Sequence, residues 1–120
     1  MPIWVLVAAG SALGGAARYG VSTLAARWLG GGFPWGTLAV NVIGSGAIGW
    51  LASSLPPSSS RLFWMTGICG GFTTFSAFSL ETLTMTRQGE PGRAALYTVA
   101  SLMLGGLFVA GGAWLGGRGR

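Results

Sequence analysis

The chain has 120 residues, of which 51% are hydrophobic and 8% charged, where soluble domains carry about 25% charged residues. Its net charge of +5 comes from seven basic residues, all Arg, against two Glu, with no His and one Cys. These numbers argue against a soluble domain. They also leave no Ser-His-Asp set, no His-based metal cluster and no paired acid/base carboxylates, so no enzyme is expected. The arginines stand singly between apolar runs and form no stripe, so they read as membrane-interface anchors and phospholipid contacts, and nucleic acid is not expected as a partner. Gly supplies 23 residues, against roughly 7% in ordinary proteins, which suits membrane helices whose backbones approach closely.

Four apolar runs are long enough to cross a bilayer, which takes roughly 17–25 residues. The first, about 3–24, is interrupted by Arg18. It lacks a basic start and exceeds the usual length of a signal core, so it reads as a retained helix. Its Gly10–Gly14 pair forms a GxxxG usable for close packing. Arg18 is costly at membrane depth unless it snorkels, pairs with Glu81 or faces a water-filled vestibule. The second run, about 36–55, ends at Pro56-Pro57. In it Thr37, Asn41 and Ser45 are four residues apart and share a helix face. A buried Asn41 amide needs a partner, either a neighbouring helix or a permeating solute.

The third run, about 62–86, contains Gly70–Glu81, GGFTTFSAFSLE. Two glycines, two threonines, two serines and three phenylalanines at bilayer depth are unusual, because non-helical backbone there must be buried by protein or met by water. A break at Gly70–Thr73 would free carbonyls suited to a hard cation such as Na+ and amides suited to an anion. Phe75 and Phe78 follow at i, i+3, with Glu81 continuing that face; phenylalanines at this spacing usually face lipid or the core, and the alternative is that their positive ring edges line a path for a small anion. Glu81 is the only acid inside a span. Cys69 has no second ligand near it and reads as a small core residue. The fourth run, about 94–115, carries a thin stripe of Thr98, Ser101 and Gly105, with Tyr97 beside it.

Short connections leave residues 1–120 as a single integral membrane domain. The flanking arginines divide evenly. Arg61, Arg118 and Arg120 fall on the side of the N-terminus, and Arg27, Arg87 and Arg93 on the other. With almost no positive-inside bias, either folding or an insertion partner fixes one orientation, or the chain inserts both ways and pairs with an inverted copy.

Three blocks carry a family resemblance: GGAARYG from Gly14, GTLAVNVIGSGAIG from Gly36 and GICGGFTTFSAFSLE from Gly67. Through them the chain resembles the Fluc (CrcB) fluoride channels along nearly all its length. The resemblance implies an all-α membrane protein with four transmembrane helices per subunit, the third broken, assembled as an antiparallel dual-topology homodimer in the inner (cytoplasmic) membrane. It implies two passive fluoride pores per dimer and a structural Na+ on the two-fold axis. Carried over by block, Asn41 is the pore amide, Phe75 and Phe78 are the pore phenylalanines, and Arg18 is the basic residue near the pore mouth. Thr37, Glu81, Tyr97 and Ser101 join the pore-lining polar set. The backbone carbonyls of Gly70 and Thr73 are the Na+ ligands. Ala77 departs from the family's TTFSTFS pattern, in which a hydroxyl residue separates the two phenylalanines; Ser76 and Ser79 are the residues available to compensate. A rival reading is a small four-helix multidrug or cation exporter. By analogy that family uses an acid in its first helix, which this chain lacks.

Overall fold

In a computed structural model describing residues 1–118, the chain forms four antiparallel helical traverses. Arg120, counted above among the flanking arginines, lies outside the described residues. Helix α1 spans Ile3–Leu29. It runs five residues past the predicted end because Ala25–Leu29 offers no breaker. It stops at Gly30, whose φ of +79° suits glycine. Helix α2 spans Trp35–Ser54, and Leu55, which precedes Pro56, is extended at φ −108°, ψ 136°, as the proline ring requires of its neighbour.

The third traverse is built in pieces. Helix α3, Ser59–Leu62, is capped by Ser58, whose hydroxyl accepts the Arg61 N–H. It continues as a π-helical stretch, Phe63–Cys69, and then as α4, Gly70–Phe72. Thr73 and Thr74 are extended, and α5 restarts at Phe75 and runs to Arg87. The break therefore falls at Thr73–Thr74, at the C-terminal edge of the predicted Gly70–Thr73 segment. The glycines themselves stay helical. Helix α5 ends in a Schellman motif at Gly89 (φ +81°), with Gly89 N–H on Thr86 O and Glu90 N–H on Met85 O. Helix α6, Pro91–Gly117, opens with proline at its first position, where no N–H is needed.

Glycine sets the packing distances. A Cβ on Gly10 would stand 2.7 Å from Phe63 O, and one on Gly14 2.8 Å from Phe72 N. The GxxxG of α1 is thus the seat of the third traverse. On the other side, α2 and α6 meet backbone to backbone, and a Cβ on Gly116 would stand 2.6 Å from Trp50 O. These approaches place α2 between α1, the broken traverse and α6.

The surface is that of a membrane protein. Leu96, Leu102, Met103, Leu107 and Trp114 of α6 are exposed, an apolar face too continuous for water. Helices α2 and α6 are each long and apolar enough to cross a bilayer. Helix α1 is as long as α6 but carries Arg18 and Arg27, and the third traverse is in pieces. All six tryptophans lie within about two turns of a traverse end, and all are exposed. Trp4, Trp50, Trp64 and Trp114 mark one end of the bundle, Trp28 and Trp35 the other, as in the aromatic belts of bilayer interfaces. The long axis of 47 Å matches a bilayer with its headgroups, about 40–45 Å.

Replacing Gly14 by Val forces a side chain into the α4 backbone, which cannot yield as a flexible side chain would. We expect a loss of about 3 kcal/mol, the upper range for overpacking, read as a lowered unfolding midpoint in mild detergent. Val at Gly106, where a Cβ meets open space, should cost less than about 1 kcal/mol.

Candidate functional site

The break in the third traverse organises the site. Thr74 is the N-cap of α5, its Oγ1 accepting the Ala77 N–H at 3.1 Å. Asn41 of α2 binds the same residue twice: Nδ2 donates to Thr74 O at 3.0 Å, and Oδ1 accepts the Thr74 N–H at 2.8 Å. Asn41 thus serves as helix-to-helix glue through both ends of its amide. Because a primary amide has two N–H bonds, one remains for another acceptor.

These bonds redistribute the backbone partners. In an unbroken helix Gly70 O would receive Thr74 N–H and Thr73 O would receive Ala77 N–H. Both donors are taken, by Asn41 Oδ1 and Thr74 Oγ1. With those donors taken, the carbonyls of Gly70 and Thr73 lose their helical partners. Gly71 O differs, since Arg18 Nε donates to it at 3.1 Å. Arg18 therefore ties α1 to α4 and does not reach Glu81. At the same point α5 begins, and the first-turn amides of Phe75 and Ser76 lie at its positive end. One short break thus presents oxygens suited to a cation and N–H groups suited to an anion.

A cavity of about 290 Å³ collects Asn41, Ser45, Gly70, Thr73, Thr74 and Phe75 on its walls. A cleft of about 350 Å³ lies toward the Trp28–Trp35 end, lined by Ser22, Phe33, Trp35, Thr37, Glu81 and Gln88 among others. In it Glu81 accepts from Thr37 Oγ1 at 3.0 Å and from Tyr97 OH at 3.1 Å. Thr37 is 6% exposed and Tyr97 fully buried, so α2 and α6 hold the carboxyl of α5 from both sides. Phe78 lines neither space; its ring centroid lies 5.2 Å from that of Tyr97 and 5.8 Å from that of Phe75. The two phenylalanine rings are inclined at 45°. Phe75 is 78% exposed, so it can wall a closed path only if another surface covers it.

Of the residues expected at the site, Asn41, Gly70, Thr73 and Phe75 share one cavity, and Thr37 and Glu81 share the cleft, with Tyr97 holding Glu81 from behind. Ser101 stands one turn along α6 from Tyr97, and its buried hydroxyl oxygen has no hydrogen-bond partner among the described residues. Arg18 lines neither space. Near Ala77, Ser76 Oγ pairs with Thr74 Oγ1 at 3.3 Å, while Ser79 donates to Phe75 O. Sequence reasoning missed Thr74 and Phe33. Thr74 had a visible signal, a preferred N-cap residue next to a break. Phe33, edge-on to Tyr97 at 5.4 Å, had none, since it lies in a short connection.

Fold and site together define a small helical membrane protein with a broken, polar third traverse. Residues 5–113 match the family model described as CrcB-like protein, Camphor Resistance (CrcB), and the chain belongs to the CrcB family. It is 49% identical to a protein of Hyphomonas neptunium over 96% of this chain and 95% of that one. It is 51% identical to one of Thermus thermophilus over 92% and 90%. Both relatives carry the name fluoride-specific ion channel FluC.

Tyr97→Phe removes one of the two donors to Glu81 while keeping the buried ring. It should lower stability by about 1–2 kcal/mol, the cost of one buried acceptor left unmatched. Tyr97→Ala, which also empties a packed site, should cost about 3–5 kcal/mol. Chemical unfolding of the purified protein distinguishes the two.

Proposed function

We propose that the protein is a passive, fluoride-selective channel of the cytoplasmic membrane that lets fluoride leave the cell down its electrochemical gradient. The observation that carries this reading is the broken third traverse. It brings Asn41, whose amide keeps one N–H to spare, and Phe75, the first residue of α5, to the walls of one cavity. The names of the relatives support the same ion. Fluoride is small, hard and strongly hydrated, so a pore must replace its water with donors. A few weak, distributed donors also let it leave. From the cleft beside Thr37 and Glu81, an ion would pass the Phe78 and Phe75 edges to the Asn41 cavity. The orphan Ser101 hydroxyl offers one further donor on that side of the bundle. Arg18 acts at a distance, as a fixed positive charge that favours anions and as the tie that holds α4.

The working unit in this reading is an antiparallel, dual-topology homodimer with two pores. Two observations support it: the even split of arginines between the two ends and the exposed Phe75, which a second copy would cover. A Na+ on the two-fold axis would be held by the Gly70 and Thr73 carbonyls of both copies. The chemistry of the donor set fits, since hard carbonyl oxygens freed from the helix suit a hard cation. Bound there, Na+ would supply a fixed positive charge that offsets the converging carbonyl dipoles.

Liposomes loaded with fluoride and carrying the purified protein should release it to an electrode, and chloride should not follow. Phe75→Ile or Phe78→Ile should cut release to the protein-free background while the elution profile of the protein stays unchanged. Normal release from both variants would refute the pore assignment, and equal chloride release would refute the selectivity. A tag on the C-terminus should be accessible from both faces of the membrane; access from one face only excludes dual topology.

A further inference from the structure

The double bond between Asn41 and Thr74 does more than join two helices. Thr74 has φ −150° and ψ 120°, the backbone of an antiparallel strand. In such a residue N–H and C=O point the same way. The Asn41 side chain presents Oδ1 and the N–H cis to it in the complementary arrangement, so it stands in for one residue of a neighbouring strand. The two distances, 2.8 and 3.0 Å, are those of well-formed bonds. Without Asn41, Thr74 N–H has an obvious second acceptor, Gly70 O, four residues back. Leaving both unpaired in an apolar bundle is costly. Closing that bond would carry α4 through Thr74 and remove Gly70 O from the cavity. The next carbonyl is withheld differently, since Arg18 occupies Gly71 O.

We propose that Asn41 is the positioning residue that opens the cation site: by capturing Thr74 N–H it keeps the Gly70 carbonyl out of the helical ladder and free to bind Na+. The inference rests on the cation reading given above and adds a cause to it. It also separates two roles of one amide. The Oδ1 and one N–H hold the backbone, and the second N–H is left for another acceptor.

The test measures the thermal midpoint of the purified protein while Na+ replaces N-methylglucamine at constant ionic strength. Wild type and Phe78→Ile should be stabilised over the same Na+ range, because Phe78 lies outside the cavity at the break. Asn41→Leu, which keeps the volume and removes both bonds, should need about tenfold more Na+ or more, since one net hydrogen bond's worth of competition is converted into affinity. Asn41→Asp keeps an acceptor for Thr74 N–H and should retain the wild-type Na+ range while losing fluoride release. A wild-type range in Asn41→Leu overturns the inference, as does a shift in Asn41→Asp equal to that of the Leu variant. If Asn41→Leu fails to fold, Asn41→Asp decides alone by keeping or losing the wild-type range. A wild type indifferent to Na+ refutes the cation reading and the inference with it. Fluoride release from the same preparation tells that failure from failure of the channel reading.

Discussion

Everything in this molecule depends on the pairing of backbone polar groups where water is scarce. In hydrocarbon an unmatched N–H or C=O costs several kcal/mol, so helices persist unless something else meets the freed groups. The chain breaks one helix at Thr73–Thr74 and meets that demand locally. Asn41 takes both backbone groups of Thr74, Thr74 Oγ1 takes Ala77 N–H, and Arg18 takes Gly71 O. The carbonyls that remain are concentrated beside one cavity. A structural device that would be a defect elsewhere becomes a set of directed dipoles.

Close glycine packing makes this possible. Asn41 reaches Thr74 because α2 and α4 lie close together: Gly44 of α2 leaves room for the Thr73 side chain, and Gly14 and Gly71 let α1 press α4 from the other face. Larger residues at these positions would hold the helices farther apart and put the Thr74 backbone beyond the reach of so short a side chain. The abundance of glycine and the single membrane asparagine are therefore one feature. The Thr37–Glu81–Tyr97 network repeats the logic at the side-chain level, with the only acid inside a span held by donors from two different helices.

The four traverses, their order and their antiparallel run were legible in the sequence, because apolar length and prolines punctuate a membrane chain strongly. The boundaries moved where the sequence had no breaker, as at the end of α1, and where proline could start a helix early, as in α6. The break was legible as a region but not to the residue. Glycines at 70 and 71 drew attention, yet they remain helical. The threonines after them leave the helix, because a β-branched, hydroxyl-bearing residue can be extended and can cap the next helix. Arg18 had an open set of partners on sequence grounds, and the one it took, a backbone carbonyl, carries no signature in residue types.

By itself the sequence determined the class of the protein: a membrane bundle, poor in catalytic groups, with polar residues on the faces of three spans and a segment that no ordinary spanning helix would contain. Periodicity and composition suffice for that, because burial in lipid is a property of whole helices. Only the tertiary structure decided which polar group meets which. That Asn41 holds Thr74, and that Glu81 belongs to Thr37 and Tyr97, are facts about residues 16 to 44 positions apart. The Gly70 oxygen is left over as a consequence of the first of those pairings. Hydrogen bonds act over about 3 Å, and packing between helices, not order along the chain, sets distances on that scale.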